Sequence, residues 1–237
     1  MPSIKKESFG KVVDGREASV WTLRNTKGNE LKVTDCGARI VSLRFRDKDF
    51  TNRFLLTDAS TVLVDGKDFA EILWQGEQLF EGVKFTADIN GKPVSIIYSL
   101  SNDNEISIRY ESADEIDITA QLAFSAELLP DIDFRACQKG AAWEKISDAK
   151  SYPVTEPAEV MLEVGMFGYD PGCPIDYLDA GLKNAANLFS GAASIEIIVY
   201  ATQDNIGVQA IDGGFALKTG GKFSGKAQTV YMLKNRK

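Results

Sequence analysis

Residues 94 to 124 read VSIIYSLSNDNEISIRYESADEIDITAQLAF, and this stretch decides the fold class. Apolar and polar residues alternate through residues 94 to 100, 105 to 110 and 116 to 124, which is the period-2 pattern of half-buried β-strands. Residues 101 to 104 (SNDN) separate the first two runs with residue types that favour a tight turn. The stretch therefore predicts a meander of antiparallel strands in the middle of the chain.

The same alternation recurs on both sides of this centre. Asn90-Gly91 supplies residues that accept the positive φ angles of a two-residue hairpin just before residue 94. Many strands at short spacing, with few helical stretches, indicate a β-sandwich or barrel rather than βαβ units. The further predicted strands cover residues 19 to 23, 31 to 34, 39 to 45, 195 to 201 and 229 to 233.

Two segments carry helical signals. Asp68 followed by Glu71 resembles a capping box, and the apolar residues after it roughly follow a 3.6-residue period, so we expect a short helix over residues 68 to 80. Residues 179 to 190 give a weaker helical pattern. No linker rich in Pro, Gly or Ser and no fixed repeat divides the chain. We expect one all-β domain over residues 1 to 237, an antiparallel β-sandwich with one or two short helices.

Composition limits the cellular setting and the chemistry. No apolar run approaches the roughly 20 residues of a membrane helix, and the polar first eleven residues do not resemble a secretory signal. Cys36, Cys137 and Cys173 are an odd number of cysteines at wide spacing, which favours neither a disulfide framework nor a structural zinc site. We therefore expect reduced thiols and a cytoplasmic protein.

Charge and residue counts exclude several classes of function. With 34 acidic and 27 basic residues the net charge is −7, which disfavours nucleic acids and anionic membranes as partners. The chain contains no histidine, so imidazole can serve neither as acid, base nor metal ligand. No phosphate-binding loop, nucleophile elbow or metal-ligand cluster is present in the sequence, and we expect no metal and no cofactor.

Four stretches resemble the aldose 1-epimerase (galactose mutarotase) family. Residues 20 to 33 (VWTLRNTKGNELKV) resemble the opening of that family, and residues 35 to 43 (DCGARIVSL) resemble its Gly-Ala strand. Residues 98 to 110 (YSLSNDNEISIRY) and 195 to 209 (IEIIVYATQDNIGVQ) continue the likeness in the same order. The resemblance implies a galactose mutarotase-like supersandwich that holds a sugar.

The resemblance also implies catalytic groups that this chain lacks. It implies a glutamate base, two histidines near the ring and anomeric oxygens, and an aspartate and an arginine on other hydroxyls. Gln121 stands where the family has one histidine, and a glutamine can hydrogen-bond a hydroxyl but cannot carry a proton. The segment with the arginine and the other histidine is missing between Leu56 and Trp74, and residues 212 to 223 contain no recognisable glutamate motif. Asp176 matches the family's aspartate motif.

Five residues are candidates for sugar binding. Asp176, Gln121 and Gln209 carry groups that hydrogen-bond hydroxyls, Tyr177 adds a phenol, and Trp74 has a ring that could stack on a sugar, as could Trp143. Trp21 lies within an alternating strand and is expected in the core. We assign no catalytic residue. The carboxylates available as a replacement acid and base are Glu71, Glu77, Glu81, Glu127, Glu163, Asp170 and Asp176.

Three functional hypotheses remain open at this point. The first is a carbohydrate-binding, aldose 1-epimerase-like protein that acts on or senses a monosaccharide, with weak or altered epimerase activity. The second is a catalytically silent structural or regulatory module that binds a protein partner. The third, a lyase or isomerase of acidic polysaccharides, is disfavoured by the net negative charge. The sequence leaves the oligomeric state and the identity of the sugar open.

Overall fold

The computed structural model describes residues 3–12, 14–138, 140–154 and 181–236. All regular secondary structure in these residues is β, and no helix among them is long and apolar enough to cross a membrane. The strands are β1 (Ser3–Lys11), β2 (Glu17–Arg24), β3 (Glu30–Thr34), β4 (Arg39–Arg46), β5 (Asn52–Phe54), β6 (Thr61–Val64), β7 (Lys67–Asp68), β8 (Gln75–Gln78), β9 (Gly82–Ile89), β10 (Lys92–Leu100), β11 (Glu105–Ser125), β12 (Ile132–Ala136), β13 (Glu144–Lys145), β14 (Lys150–Pro153), β15 (Lys183–Ser190), β16 (Ile195–Ala201), β17 (Asn205–Ile211) and β18 (Gly214–Asn235).

Every strand predicted from the alternation is confirmed. Asn90 and Gly91 both have positive φ angles and connect β9 to β10 as a two-residue hairpin. Residues 105 to 110 and 116 to 124 belong to a single long strand, β11, because the chain continues through an irregularity between Ser112 and Ile116.

The strands form a five-stranded and a thirteen-stranded sheet. The smaller sheet has the order β1-β2-β3-β4-β5, and all of its neighbouring strands are antiparallel. The larger sheet is organised by β11 and β18, which pair along most of their lengths. The first half of β11 pairs with β10 and its second half with β6, while β18 pairs first with β17 and then with β16. These two strands therefore connect the part of the larger sheet formed by β8, β9 and β10 to the part formed by β12, β13, β15 and β16.

The core fills the space between the sheets. Trp21 of β2 is 1% exposed and packs edge-on against Phe85 of β9, with the ring centroids 5.2 Å apart. Phe85 in turn contacts Tyr98 of β10, whose hydroxyl donates a 2.6 Å hydrogen bond to the carbonyl of Ala38. The placement of Trp21 in the core is confirmed, and this cluster fixes the smaller sheet against the β9–β10 hairpin.

The helix expected over residues 68 to 80 is not formed. Residues 69 to 72 form a turn closed by a bond from Ile72 N to Phe69 O, and the segment lies beside the turn at residues 35 to 38. That turn supplies partners for its backbone: Trp74 N donates to Asp35 O, and Gly37 N donates to Ile72 O, both at 2.8 Å. A short segment with a weak helical pattern gains more from these bonds to a neighbouring turn than from an isolated helical turn. Tertiary hydrogen bonding therefore overrides the local pattern.

The helical pattern of residues 179 to 190 is also wrong in its described part. Residues 183 to 190 form β15, which lies between β12 and β16 with antiparallel pairing on both sides. Ala185, Ala186 and Leu188 of this strand are buried. Pairing on both sides gives the backbone N–H and C=O groups of this segment hydrogen-bond partners, and this outweighs its weak helical pattern.

Candidate functional site

Two of the predicted sugar-binding residues lie on one face of the larger sheet. Gln121 of β11 is directly opposite Lys218 of β18, and Lys218 is directly opposite Gly207 of β17. Two residues further along, Ala123, Ala216 and Gln209 are opposite one another in the same way. Directly opposed residues of antiparallel strands point to the same side, so Gln121 and Gln209 share a face across β18.

We call this side the polar face; its members are partly or fully exposed, and they are Thr119, Gln121, Ser151, Asn205, Gly207, Gln209 and Lys218. The intervening residues point the other way and are buried, for example Ile118, Leu122 and Leu217. The alternation that buries one side of these strands thus places hydroxyl, amide and ammonium groups on the other.

A pocket of about 380 Å³ opens on the polar face. Its walls include Thr119, Ser151 and Gln209, and its volume lies within the range of about 300–1,000 Å³ common for small-molecule sites. Gly207 lies beside Lys218, and a Cβ added to it would come within 3.3 Å of the Lys218 Cβ. The glycine therefore leaves the room that a ligand needs to approach the sheet backbone next to the lysine.

The groups of the polar face are largely uncommitted, and of the two glutamines only Gln209 lines the pocket. The side chains of Lys218 and Gln209 form no hydrogen bond or ion pair within the described part of the chain. Gln121 Nε2 makes a single long contact of 3.5 Å with the carbonyl of Ala59. These side chains can therefore donate to or accept from a ligand without breaking strong internal bonds.

One carboxylate lies close to the rim. Glu144 accepts a 2.6 Å bond from Lys150 Nζ and a short hydrogen bond from the Tyr152 hydroxyl. The hydrogen bond from Lys150, followed by that from Tyr152, holds the pKa of the Glu144 carboxyl below its usual range. Glu144 is therefore a charged partner of Lys150 at neutral pH rather than a general acid.

Trp74 does not belong to this site. Its side chain is part of the hydrophobic core and only 2% exposed, so the ring cannot stack on a sugar that arrives from solvent. Trp143 is 42% exposed but does not line the pocket. The sequence pattern could not separate these two tryptophans because both lie outside the alternating strands.

The remaining candidates divide into exposed residues and residues outside the described ranges. Glu71, Glu77, Glu81 and Glu127 are exposed. Asp176 and Tyr177 lie outside the described residues, as do Glu163, Asp170 and Cys173. Their proposed roles therefore stay predictions.

Both described cysteines have raised pKa values. Burial raises the pKa of the Cys137 thiol to about 12, and burial also raises that of Cys36. Neither sulfur is a thiolate at neutral pH, and the thiolate is the nucleophile. Across the described ranges no three residues of the types His, Cys, Asp or Glu cluster as metal ligands.

Sequence reasoning missed Lys218, Thr119, Asn205 and Ser151 as members of the site. The alternation of residues 215 to 220 could have predicted a strand with Ala216, Lys218 and Gly220 on one side. What the pattern cannot give is the strand that lies next to β18 and its register. That information is needed to bring Lys218 beside Gln121.

Comparison with known proteins shows similarity in structure alone. Neither the models of known protein families nor the curated proteins contain a match to the chain. The galactose 1-epimerase from Lactobacillus acidophilus NCFM is 12% identical, with all of both chains covered and a TM-score of 0.61. The GalM/aldose epimerase homologue from C. elegans is 10% identical, again over all of both chains, with a TM-score of 0.59. A putative mutarotase (YeaD) from Salmonella typhimurium is 8% identical over 92% of this chain and 91% of its own, with a TM-score of 0.57.

These matches agree with the resemblance seen in the sequence. They extend over nearly the full chain, while the identity is too low to transfer activity or site residues. The antiparallel sheets, the long paired strands β11 and β18 and the structural matches together show that this chain has the galactose mutarotase-like β-sandwich fold.

Proposed function

We propose that the polar face binds a monosaccharide or a monosaccharide derivative, and that the protein acts on or senses this sugar with weak or altered epimerase activity. The observation that carries the proposal is the register of β11, β18 and β17, which brings Gln121, Lys218 and Gln209 to one face, where Lys218 and Gln209 line a pocket. The fold shared with galactose 1-epimerase supports a sugar as the ligand.

The chemistry of the polar face suits hydroxyl groups. An amide side chain offers both donors and acceptors, a hydroxyl offers both, and a lysine ammonium offers three donors. A sugar presents a ring of hydroxyls that need this mixture, and Gly207 allows the ring to approach the sheet closely. Specific orientation then follows from a few placed polar groups in a pre-formed pocket.

We expect weak or altered epimerase activity because the chain lacks the histidines that would transfer protons. Ring opening and closure needs one group to take the anomeric proton and another to protonate the ring oxygen. The chain has no histidine, and Gln121, at the position of a family histidine, cannot exchange a proton. We infer a site that keeps hydroxyl recognition and has lost the imidazole pair.

We also infer that residues 1 to 237 form one sugar-binding unit. One hydrophobic cluster contains Trp21 and Leu43 of the five-stranded sheet together with Ile118 and Leu217 of the larger sheet. A shared core of this kind supports a single folding unit.

The binding test compares variants of the polar face with a matched glutamine elsewhere. Glucose, galactose and their phosphates are titrated while the melting temperature is measured, because a ligand that binds only the native state raises it. We expect a sugar-dependent rise for the wild type. The double variant Gln121→Ala/Gln209→Ala should lose roughly tenfold in affinity, since about two neutral hydrogen bonds are removed.

Two further variants make the result interpretable. Lys218→Met keeps the apolar stem but removes the donors, and it should weaken binding without loss of stability, because Lys218 has no partner among the described residues. Gln78→Ala removes an exposed glutamine of β8, outside the pocket, and should bind like the wild type. If no sugar raises the melting temperature, the silent protein-binding module becomes the better hypothesis.

A further inference from the structure

A second pocket lies on the outer side of the five-stranded sheet. It has a volume of about 410 Å³ and lies between β2, β3 and β4 and the loop at residues 57 to 60. It shares no lining residue with the pocket of the polar face. The loop is held to β11, since Ser60 Oγ accepts a 3.0 Å bond from Ala123 N and the Ala59 carbonyl accepts a 3.5 Å bond from Gln121 Nε2.

Two β-bulges place apolar side chains at this pocket. In the pairing of β1 with β2, Ser8 is opposite Ser19 and Gly10 is opposite Ala18, so Phe9 is an extra residue. In the pairing of β3 with β4, Lys32 is opposite Ser42 and Val33 is opposite Ile40, so Val41 is an extra residue. Both extra residues line the pocket. Bulges redirect side chains and are frequent beside binding sites.

The cationic groups of the pocket form no close ion pair in the described residues, although Lys5 and, to a smaller extent, the charge of Lys32 lower the pKa of Glu7. Arg39 and Lys32 line it, and neither forms an ion pair within the described residues. The Nε atom of Arg39 is buried and has no hydrogen-bond partner in that part of the chain. The Nε atoms of Arg44, Arg46 and Arg135 are also buried without a partner, but Arg44 Nη2 lies 2.7 Å from a Glu30 carboxylate oxygen, whereas Arg39 has no such carboxylate among the described residues. A buried donor without an acceptor is costly, and a guanidinium is best satisfied by a planar carboxylate or a phosphate.

The pocket therefore combines an anion-binding side with an apolar side. Phe9 of β1 is 42% exposed, and Val20 lies on the neighbouring strand β2, while Lys32 and Ser42 are directly opposite one another on β3 and β4. The one acidic residue of the lining, Asp58, is exposed at the rim. Two cations against one carboxylate leave the pocket with a net positive charge.

We propose that this pocket binds a small ligand that carries a carboxylate or phosphate next to an apolar group, with the anion at Arg39 and Lys32 and the apolar group on Phe9 and Val20. The proposal does not depend on sugar binding at the polar face, because the two pockets have separate linings.

The test uses probes that differ in charge. Phenyl phosphate, benzoate and benzyl alcohol are titrated against the full chain while the backbone amide NMR signals of Val41, Ser42 and Ser60 are followed. We expect both anions, or one of them, to shift these signals, with affinity about tenfold or more above that of the neutral alcohol. Comparison of phenyl phosphate with benzoate tells which anion the site prefers.

Variants on the same sheet test the residues. Arg39→Gln should weaken anion binding about tenfold or more, whereas Arg24→Gln, at the exposed end of β2 and outside the lining, should leave it unchanged. Asp58→Asn removes the negative charge at the rim and should tighten binding. Phe9→Ala should weaken phenyl phosphate but not inorganic phosphate. If Arg39→Gln fails to fold, the Asp58→Asn variant still tests the proposal, because Asp58 is exposed and its substitution should not affect folding.

The proposal is overturned by any of three results. The first is that benzyl alcohol binds as tightly as the anions. The second is that neither anion shifts the named amide signals. The third is that a folded Arg39→Gln variant binds the anions as well as Arg24→Gln does. If Arg39→Gln does not fold, unchanged binding in Asp58→Asn overturns it.

Discussion

The side chain of Gln121 bears on whether the polar face can only bind hydroxyl groups or can also transfer their protons. The sequence resemblance implies that it replaces a histidine of the family, and its amide lies on the same face as Lys218 and Gln209. The change from imidazole to amide keeps hydrogen bonding and removes proton transfer. At the residue scale the site is thus suited to recognition of hydroxyls more than to their chemistry.

A buried carboxylate gives a residue-scale prediction. Asp47 is 3% exposed, and its side chain accepts bonds from Asp49 N at 2.9 Å, Thr51 N at 2.8 Å and Arg53 Nε at 2.7 Å. Burial alone would raise its pKa, but the hydrogen bonds from Arg53, Thr51 and Asp49 and the charge of Arg53 outweigh it and lower the pKa. Asp47 therefore stabilises the fold as a carboxylate.

The sign of the pH effect follows from this lowered pKa. The stabilisation is complete above the unfolded-state pKa of about 3.9 and is lost as the pH falls through the lower folded-state value. Asp47→Asn should cost about 1–3 kcal/mol near neutral pH and lose less stability than the wild type on acidification, as measured by urea unfolding. Asp49→Asn, which alters an exposed carboxylate beside Lys48, is the control and should change little. Equal acid sensitivity in Asp47→Asn and wild type would contradict the assignment.

At the scale of elements, the turn at residues 35 to 38 positions the segment between β7 and β8. Gly37 has a φ of +78°, and a Cβ built on it would lie 2.8 Å from the Ala70 Cα. Cys36 adds a hydrogen bond from its sulfur to Ala70 O, and Leu73 forms a bridge with Cys36. The docking of this segment accounts for the burial of Trp74 and for the absence of the expected helix.

Gly37→Ala should therefore destabilise the fold for two reasons, backbone strain and overpacking against Ala70. We expect a loss of about 2–5 kcal/mol in the free energy of unfolding, measured by urea denaturation. Gly66→Ala separates the two causes, because Gly66 has a similar φ of +73° but open space around a Cβ. This control should lose only about 1–2 kcal/mol from strain. Equal losses would show that contact with Ala70 contributes nothing.

For the whole molecule, the absence of histidine sets the expectation for catalysis. General acid–base groups contribute about 10²–10⁴-fold to rate, and no imidazole exists anywhere in this chain to supply them. We predict that the protein leaves the interconversion of glucose or galactose anomers close to the buffer rate, under conditions in which the sugar still binds. Exchange NMR of the two anomers measures this rate directly.

A substantial acceleration would contradict that prediction and would mean that carboxylates have replaced the histidines. Asp176→Asn and the glutamate variants would then locate the replacement pair, because loss of the acceleration identifies a participating group. The Gln78→Ala variant serves as the unaffected comparison in this experiment too.

Much of the fold follows from local pattern. Alternation identifies the strands because one side of each must face the core, and Asn90-Gly91 identifies a hairpin because these residues accept positive φ angles. The weak helical patterns at residues 68 to 80 and 179 to 190 mislead, since propensity is a small term that strand pairing overrides.

The sequence by itself determined an antiparallel β protein without imidazole chemistry, because alternation and residue counts are local properties of the chain. The tertiary structure alone decided that Trp74 is buried, that Lys218 lies between Gln121 and Gln209, and that the bulges at Phe9 and Val41 meet at one pocket. These facts depend on register between strands far apart in the chain. Register is set by the packing of the whole core, and no single strand carries it in its own residues.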